Sequence, residues 1–314
     1  MSHWTTANIP DLHGHTALVT GANSGLGLET TRALATKGAH VVMACRDQEK
    51  GRKTKSAIEE SVPGASLELA ALDLSSLAAI RAFVERFQTD HTQLDLLFNN
   101  AGVMAIPYRK TQDGFEWQFG TNYLGHFALT GLLLPTLLAT PQSRVITTSS
   151  IAHVTGKIDF DNLNNERSYT RWSAYGKSKL ADLMFAFELQ HRLKMAGVET
   201  ISVAAHPGFS HTSLQSTSVT EASAVMERLM YSLYGGQSAA MGALPQLYAA
   251  TVPSLSGGEY IGPDGLFGLS GYPKKVRASK HAYDEQVAAR LWEVSVEMTG
   301  VDYATLHILT QETV

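Results

Sequence analysis

Tyr175 and Lys179 stand four positions apart in the run Ala174-Tyr175-Gly176-Lys177-Ser178-Lys179. Apolar residues continue at Leu180, Leu183, Met184, Phe187 and Leu193, which is helical periodicity. On a helix an i, i+4 pair shares one face, so the phenol and the ammonium can enter the same site. A free tyrosine ionises near ~10 and is a poor acid or base at neutral pH. A fixed cation beside it favours the phenolate and lowers that value. Such a pair could pass a proton to or from an alcohol or carbonyl oxygen. The spacing alone also fits a solvated helix face, so the surrounding elements must decide.

Short β-branched runs alternate with longer amphipathic stretches, as successive βαβ units do. Strands are predicted at 16–20, 40–44, 66–71, 94–98, 144–148 and 200–205. Helices are predicted at about 26–37, 47–62, 77–89 and 114–138, with the Tyr175 helix between the last two strands. The strands read as near-continuous apolar runs, which implies a parallel sheet covered on both faces. The expected fold class is therefore α/β, a doubly wound parallel sheet with helices on both faces. Past Pro207 the pattern loosens, through a Ser/Thr-rich then Met/Leu/Tyr-rich stretch at 209–234. A helix at 236–251, a Gly/Pro-rich stretch at 256–273 and a helix at 279–299 complete the chain. With no low-complexity linker and no repeat, one domain is expected over 1–314. Its parts would be a core at 14–208, a substrate-lid region at 209–275, and a C-terminal helix and tail at 276–314.

Composition narrows the function classes. The 314 residues are 44% hydrophobic and 17% charged, enough for a sizeable core, and the net charge of −4 gives no footprint for nucleic acid. The twelve histidines are scattered, without cysteine partners, so no metal site is expected. The single cysteine, Cys45, excludes an internal disulfide and suits a reducing compartment. Residues 1–15 lack the apolar core of a signal peptide. No stretch reaches the roughly 18 apolar residues that span a bilayer. A soluble, cytoplasmic protein without a membrane partner is expected.

Directly after the first strand comes Thr20-Gly21-Ala22-Asn23-Ser24-Gly25-Leu26-Gly27, opening a helix. Glycines there permit a tight turn and close approach of backbone to a pyrophosphate, which the helix N-terminus attracts. Its strand–turn–helix context points to a dinucleotide. Further marks follow in order: Asp73-Leu74 after strand three, Asn99-Asn100-Ala101-Gly102 after strand four, and Asn122 in Thr121-Asn122-Tyr123-Leu124-Gly125-His126. Ser149-Ser150 ends strand five, and Pro207-Gly208 with Thr212 follows strand six.

Together these motifs, over about residues 14–212, resemble the short-chain dehydrogenase/reductase family. The resemblance implies a Rossmann fold and hydride transfer from a nicotinamide cofactor. It implies Tyr175 as acid/base, and Lys179 lowering its pKa and holding the nicotinamide ribose. Ser150, the second of its pair, would bond the reacting oxygen, and Asn122 would link Lys179 to solvent through water. Cofactor contacts would come from Gly21, Asn23, Ser24, Gly25, Leu26, Gly27, Asp73, Leu74, Asn99, Ala101, Gly102, Tyr175, Lys179, Pro207, Gly208 and Thr212. NAD-selective members carry an acid at the end of strand two; here Cys45 stands there and Arg46 follows. A guanidinium suits a 2′-phosphate, so NADP(H) is favoured, with NAD(H) as the alternative.

Ser150 and Tyr175 are 25 positions apart, longer than in most short members. With Ala44-Cys45-Arg46-Asp47, Val103-Met104 and Leu124-Gly125-His126-Phe127, this is similar to the retinol-dehydrogenase-like and protochlorophyllide-reductase-like branch. Met104, His153, Phe209 and 214–234 are placed to line or cap a pocket for a small hydrophobic carbonyl or alcohol. The alternatives are a C=C-reducing relative and a non-catalytic NADP(H)-sensing protein. Homodimer, homotetramer and monomer all stay open, association running through the long helices near 114–138 and 175–195.

Overall fold

The computed structural model describes residues 3–210 and 236–306. Strands and helices alternate as β1 (Thr16–Thr20), α1 (Gly25–Thr36), β2 (His40–Cys45), α2 (Gln48–Ser61), β3 (Ser66–Ala71), α3 (Leu77–Asp90) and β4 (Leu96–Asn99). A π-helical turn (Phe119–Leu124) runs into α4 (Gly125–Ala139), followed by β5 (Arg144–Thr148), α5 (Arg171–Met195) and β6 (Ile201–Ala205). Then come α6 (Ala239–Thr251), β7 (Tyr260–Pro263), β8 (Pro273–Val276) and α7 (Glu285–Thr299).

All eight strands form one sheet in the order β3-β2-β1-β4-β5-β6-β7-β8. Neighbours are parallel except β8, which runs antiparallel to β7. The order reverses between β1 and β4, and crevices for dinucleotides form at the carboxyl ends of strands beside such a switch. Alternation along each strand divides the core between the two faces. Leu18, Val42, Leu97 and Val145 join α3, α4, α5 and α7 through Phe83, Phe127, Phe185 and Trp292. Val19, Val41, Phe98 and Ile146 face the other way, onto Leu34 of α1, Ile58 of α2 and Leu247 of α6. Each large apolar side chain so buried contributes about 1.5–3 kcal/mol.

Side-chain caps set several helix starts. Asp47, Ser76, Thr170, Ser238 and Asp284 accept the backbone N–H groups of Lys50, Ala79, Ser173, Met241 and Val287.

The structure departs from the sequence expectation in several places, among them the last helix, which starts at Glu285 rather than 279. The helix expected from residue 114 starts later. Glu116 pairs with Lys110 in an isolated β-bridge, and its carboxylate takes the N–H groups of Gln118 and Phe119 at 2.9 and 2.8 Å. The Gly/Pro-rich stretch holds β7 and leads into β8, both of them unforeseen. Each has only four residues, β7 lies between Gly258 and Asp264, and β8 opens on Pro273, so neither shows a recognisable run. Thr212 and the 214–234 lid lie outside the described residues. Among the described residues, no helix is long and apolar enough to cross a membrane.

Candidate active site

The loop after β1 is shaped by glycine. Gly21 and Gly25 have φ of +69° and +53°, where side chains other than glycine's are strained. A Cβ on Gly21 would lie 3.0 Å from Ala101 Cα, and one on Gly27 would lie 2.7 Å from Asn100 Nδ2 and collide with the Gly21 carbonyl. The loop is thus pressed against the end of β4. Thr20 Oγ1 accepts the N–H groups of Asn100 and Ala101, both at 2.9 Å, while Asn100 Nδ2 donates to the Thr20 carbonyl at 2.7 Å. Ser24 precedes α1 in extended conformation and makes no side-chain cap. The first N–H groups of α1 therefore face the loop, a ready site for a phosphate. Asn23 Nδ2 reaches the Asp47 carbonyl at 3.4 Å, joining the loop to the β2–α2 turn, and Leu26 lies against Gly242 of α6. These residues fit a dinucleotide: the cradle is backbone, and added Cβ atoms at Gly21 and Gly27 would push the loop off the end of β4.

Around this cradle, Asp73 Oδ1 accepts from both the N–H and hydroxyl of Ser75, at 2.9 and 2.7 Å. Leu74 is buried against Gly125, and Asn99 Nδ2 donates to Thr130 Oγ1 at 2.9 Å. Pro207 and Gly208 sit beyond β6. The Pro207 carbonyl accepts from Ser210 and Gln237, and Gly208 adopts a φ of +65° against Leu269.

Tyr175 and Lys179 lie on α5, 6% and 4% exposed, with Nζ 6.0 Å from the centre of the tyrosine ring. Nζ donates to the Thr148 carbonyl at 3.0 Å and to Asp182 Oδ2 at 2.8 Å. Burial alone would lower the pKa of Lys179, but the Asp182 carboxylate and the Tyr175 phenol outweigh it and hold it above its ordinary value. A Cβ on Gly102 would stand 3.2 Å from Asn122 Oδ1 and 3.8 Å from Nζ, so the end of β4, the π turn and α5 meet here. Asn122 Oδ1 accepts Val103 N–H at 2.8 Å, and its Nδ2 donates to Val103 O and Ser178 Oγ, both at 2.9 Å. The two serines after β5 differ. Ser149 Oγ donates to the Lys179 carbonyl at 2.7 Å, deep in the core, whereas half-buried Ser150 caps the short turn Ile151–Thr155.

Some residues of the site were not singled out from sequence. His126 Nδ1 lies 2.7 Å from the Asn122 carbonyl and Nε2 2.9 Å from Thr20 Oγ1. Burial pushes its pKa down to about 3, so it is neutral. A carbonyl only accepts, which assigns the proton to Nδ1 and leaves Nε2 to take the Thr20 hydroxyl. The ring therefore ties the phosphate loop to the turn carrying Asn122. Arg109 stacks on Trp117, its guanidinium carbon 3.6 Å from the ring centre. Its loop is docked on the β3–α3 turn by Gln112 N–H to Ser75 O at 3.1 Å and Leu77 N–H to Asp113 at 2.9 Å. Burial and the positive charge of Arg46 both push the pKa of Arg109 down. Arg46 is exposed, and its two nearest acids are occupied elsewhere: Asp47 caps α2 and Glu49 pairs with Lys53 at 2.7 Å.

Other side chains are structural. His153 Nδ1 reaches Ser150 O at 2.7 Å and its Nε2 accepts Ser279 N–H at 3.0 Å. Burial raises the Cys45 thiol to about 11, which makes it inert. At the opposite edge of the sheet, Glu68 lies 3.0 Å from His91 Nε2 and 3.7 Å from His40 Nε2. The His91 contact is a hydrogen bond, and no spacing in the sequence announces the cluster.

The match to a model for short chain dehydrogenases covers residues 15–223. The chain is 40% identical to retinol dehydrogenase 12 of Mus musculus over 301 residues, covering 95% of this chain and 90% of that protein. A crystal structure of an uncharacterised protein from Mycobacterium paratuberculosis superposes with a TM-score of 0.80 at 41% identity, covering 96% of this chain and 99% of that one. A Shigella flexneri short chain dehydrogenase, solved with NADP, shares the fold at a TM-score of 0.62 and 22% identity, over 81% of this chain and 98% of that one. This chain belongs to the short-chain dehydrogenase/reductase family, among its retinol-dehydrogenase-like members, and is an oxidoreductase acting on alcohol and carbonyl groups with a nicotinamide cofactor.

Proposed function

We propose that the protein is an NADP(H)-dependent reductase and dehydrogenase that interconverts a small hydrophobic ketone or aldehyde and its alcohol, with Tyr175 as acid/base. The observation that carries this reading is the placement of Tyr175 and Lys179 on one buried face of α5, beside Gly102 and Asn122. When bound, the nicotinamide supplies or takes the hydride. Tyr175 gives its proton to the carbonyl oxygen in reduction and removes the alcohol proton in oxidation. Lys179 keeps a positive charge close to the phenol, 6.0 Å from the centre of its ring. Ser150 stabilises negative charge developing on the reacting oxygen. Asn122 holds the β4 end to α5 through Val103 and Ser178.

The loop from Gly21 to Gly27 and the first turn of α1 would hold the pyrophosphate, with Asp73 and Leu74 at the adenine, and Asn99, Ala101 and Gly102 along the cleft. Pro207, Gly208 and Thr212 would complete the nicotinamide end. NADP(H) is preferred because no acid stands at Cys45, and because Arg46 and Arg109 together offer two guanidiniums to a 2′-phosphate. The retinol dehydrogenase relatives support an apolar alcohol or aldehyde as substrate. Cys45 fits a reducing compartment, and we place the protein in the cytoplasm.

Oxidation of NADPH and of NADH, followed over a panel of apolar aldehydes and ketones, tests this reading. Turnover with NADPH at least tenfold more efficient than with NADH is expected. Absence of turnover with either cofactor sinks the enzymatic reading, and equal efficiency sinks the cofactor preference. Arg46→Ala should weaken NADPH about tenfold and leave NADH nearly unchanged, a loss of roughly 1.4 kcal/mol, as expected for a charge-assisted contact.

A further inference from the structure

The site buries one carboxylate that the four residues Asn122, Ser150, Tyr175 and Lys179 do not include. Asp182 follows Lys179 by three positions on α5, is 2% exposed, and sets Oδ2 2.8 Å from Nζ. A carboxylate does not stay ionised in such a place without a partner. An ammonium has three N–H donors. Thr148 O and Asp182 Oδ2 take two of them, which leaves one for the cleft and fixes its direction. Asn122, by contrast, directs its whole side-chain amide at Val103 and Ser178.

We propose that Asp182 is a positioning residue for the reaction: it keeps Lys179 charged inside the core and aims the remaining N–H at the cleft. This rests on the role given to Lys179 above. The titratable groups facing the pair are Tyr175 on α5, and Tyr123 and His126 from the π turn and α4. Behind them, the end of β5 gives the Thr148 carbonyl to Nζ, and Ser149, just past it, donates to the Lys179 carbonyl. His126 is neutral throughout the working range, and burial raises Tyr123 beyond it, so neither replaces the carboxylate. Burial also raises the pKa of Asp182 itself, to about 6, so the pair is fully formed only above that pH. Without the carboxylate, only Tyr175 opposes desolvation at Lys179, and the balance moves toward the neutral amine.

The test is Asp182→Asn, with NADPH affinity followed by cofactor fluorescence and turnover measured from pH 6.5 to 10. The expected result is near-wild-type behaviour at pH 6.5 and an alkaline limb shifted down by at least one pH unit in both measurements. At pH 9 NADPH affinity should fall at least tenfold. Asp182→Glu should keep the wild-type limb. Asp182→Asn curves that superimpose on wild type after scaling overturn the proposal, because a merely structural loss acts alike at every pH. Should Asp182→Asn fail to fold, thermal unfolding of Lys179→Met is compared with Lys179→Met/Asp182→Leu. Recovery of stability in the double variant supports a carboxylate that acts through Lys179, and a further loss overturns it. Wild-type protein that binds NADPH but turns nothing over defeats the enzymatic reading and leaves the binding limb to judge Asp182.

Discussion

Helix α5 buries two lysines two positions apart, and they live in opposite electrostatic worlds. Lys177 and Lys179 are each 4% exposed. Lys177 Nζ donates to the Leu163 carbonyl and to Asn165 Oδ1, both neutral oxygens, and lies 5.1 Å from the centre of the Phe119 ring. Burial pushes its pKa down to about 8, with Glu116 and Asp159 too weak in effect to prevent it. Lys179 touches a carboxylate and is held up instead. Since burial is alike, the charge on the nearest oxygen decides how high in pH the interior keeps an ammonium. One lysine pins the 156–172 insertion to the helix; the other equips the cleft.

The largest expected effect separates the two directly. Lys179→Met should cut turnover by roughly 10²–10⁴-fold, the usual range for impaired acid–base catalysis, while Lys177→Met stays within about threefold. Equal losses would erase the distinction. His126 extends the comparison to acid, as a buried base with neutral and carbonyl partners. Its folded pKa lies below the unfolded value, so its contribution is present above pH ~6.5 and is lost as pH falls toward about 3. That loss is on the order of 4 kcal/mol, and chemical denaturation of His126→Gln should show a flatter acid decline.

Lys177 gives a third measurement, on the alkaline side. Its folded pKa is also depressed, so its contribution is present above the unfolded ~10.4 and lost as pH falls through about 8. Wild-type stability should therefore gain about 3 kcal/mol relative to Lys177→Met as pH rises from ~8 to ~10.4. A constant difference across that window would place Lys177 in a charged state after all. The smallest effect is expected from Asn165→Gly. It removes one neutral acceptor from Lys177 while tolerating the φ of +53°, for about 1 kcal/mol of stability and unchanged turnover.

The central strands β1, β2, β5 and β6 were legible because both of their faces are buried, which leaves unbroken apolar runs such as Val41-Val42-Met43. β4 starts two residues later than its apolar run, because Leu94 and Asp95 give their N–H groups to Thr140 Oγ1 and Thr16 O. β7 could not be read, since Tyr260 and Ile261 supply its core contacts between a glycine pair and Pro263. At the site, Tyr175/Lys179 and the glycine loop announce themselves through local spacing. Arg109 and His126 do not, because Arg46, Trp117 and Thr20 reach them only through tertiary packing. Asp182 had a local signal: a carboxylate three positions after Lys179, on a helix otherwise apolar there.

Strand β8 closes the sheet at one margin with Pro273, Lys274 and Lys275, and runs against the grain of its neighbours. A rim of this kind resists templating by a foreign strand, since proline withholds a donor and pairing would strip water from two ammonium groups. Growth of the sheet from copy to copy across that rim is disfavoured. A nascent chain with β8 in place carries its own guard against amyloid-like pairing at that margin, while β3 forms the other.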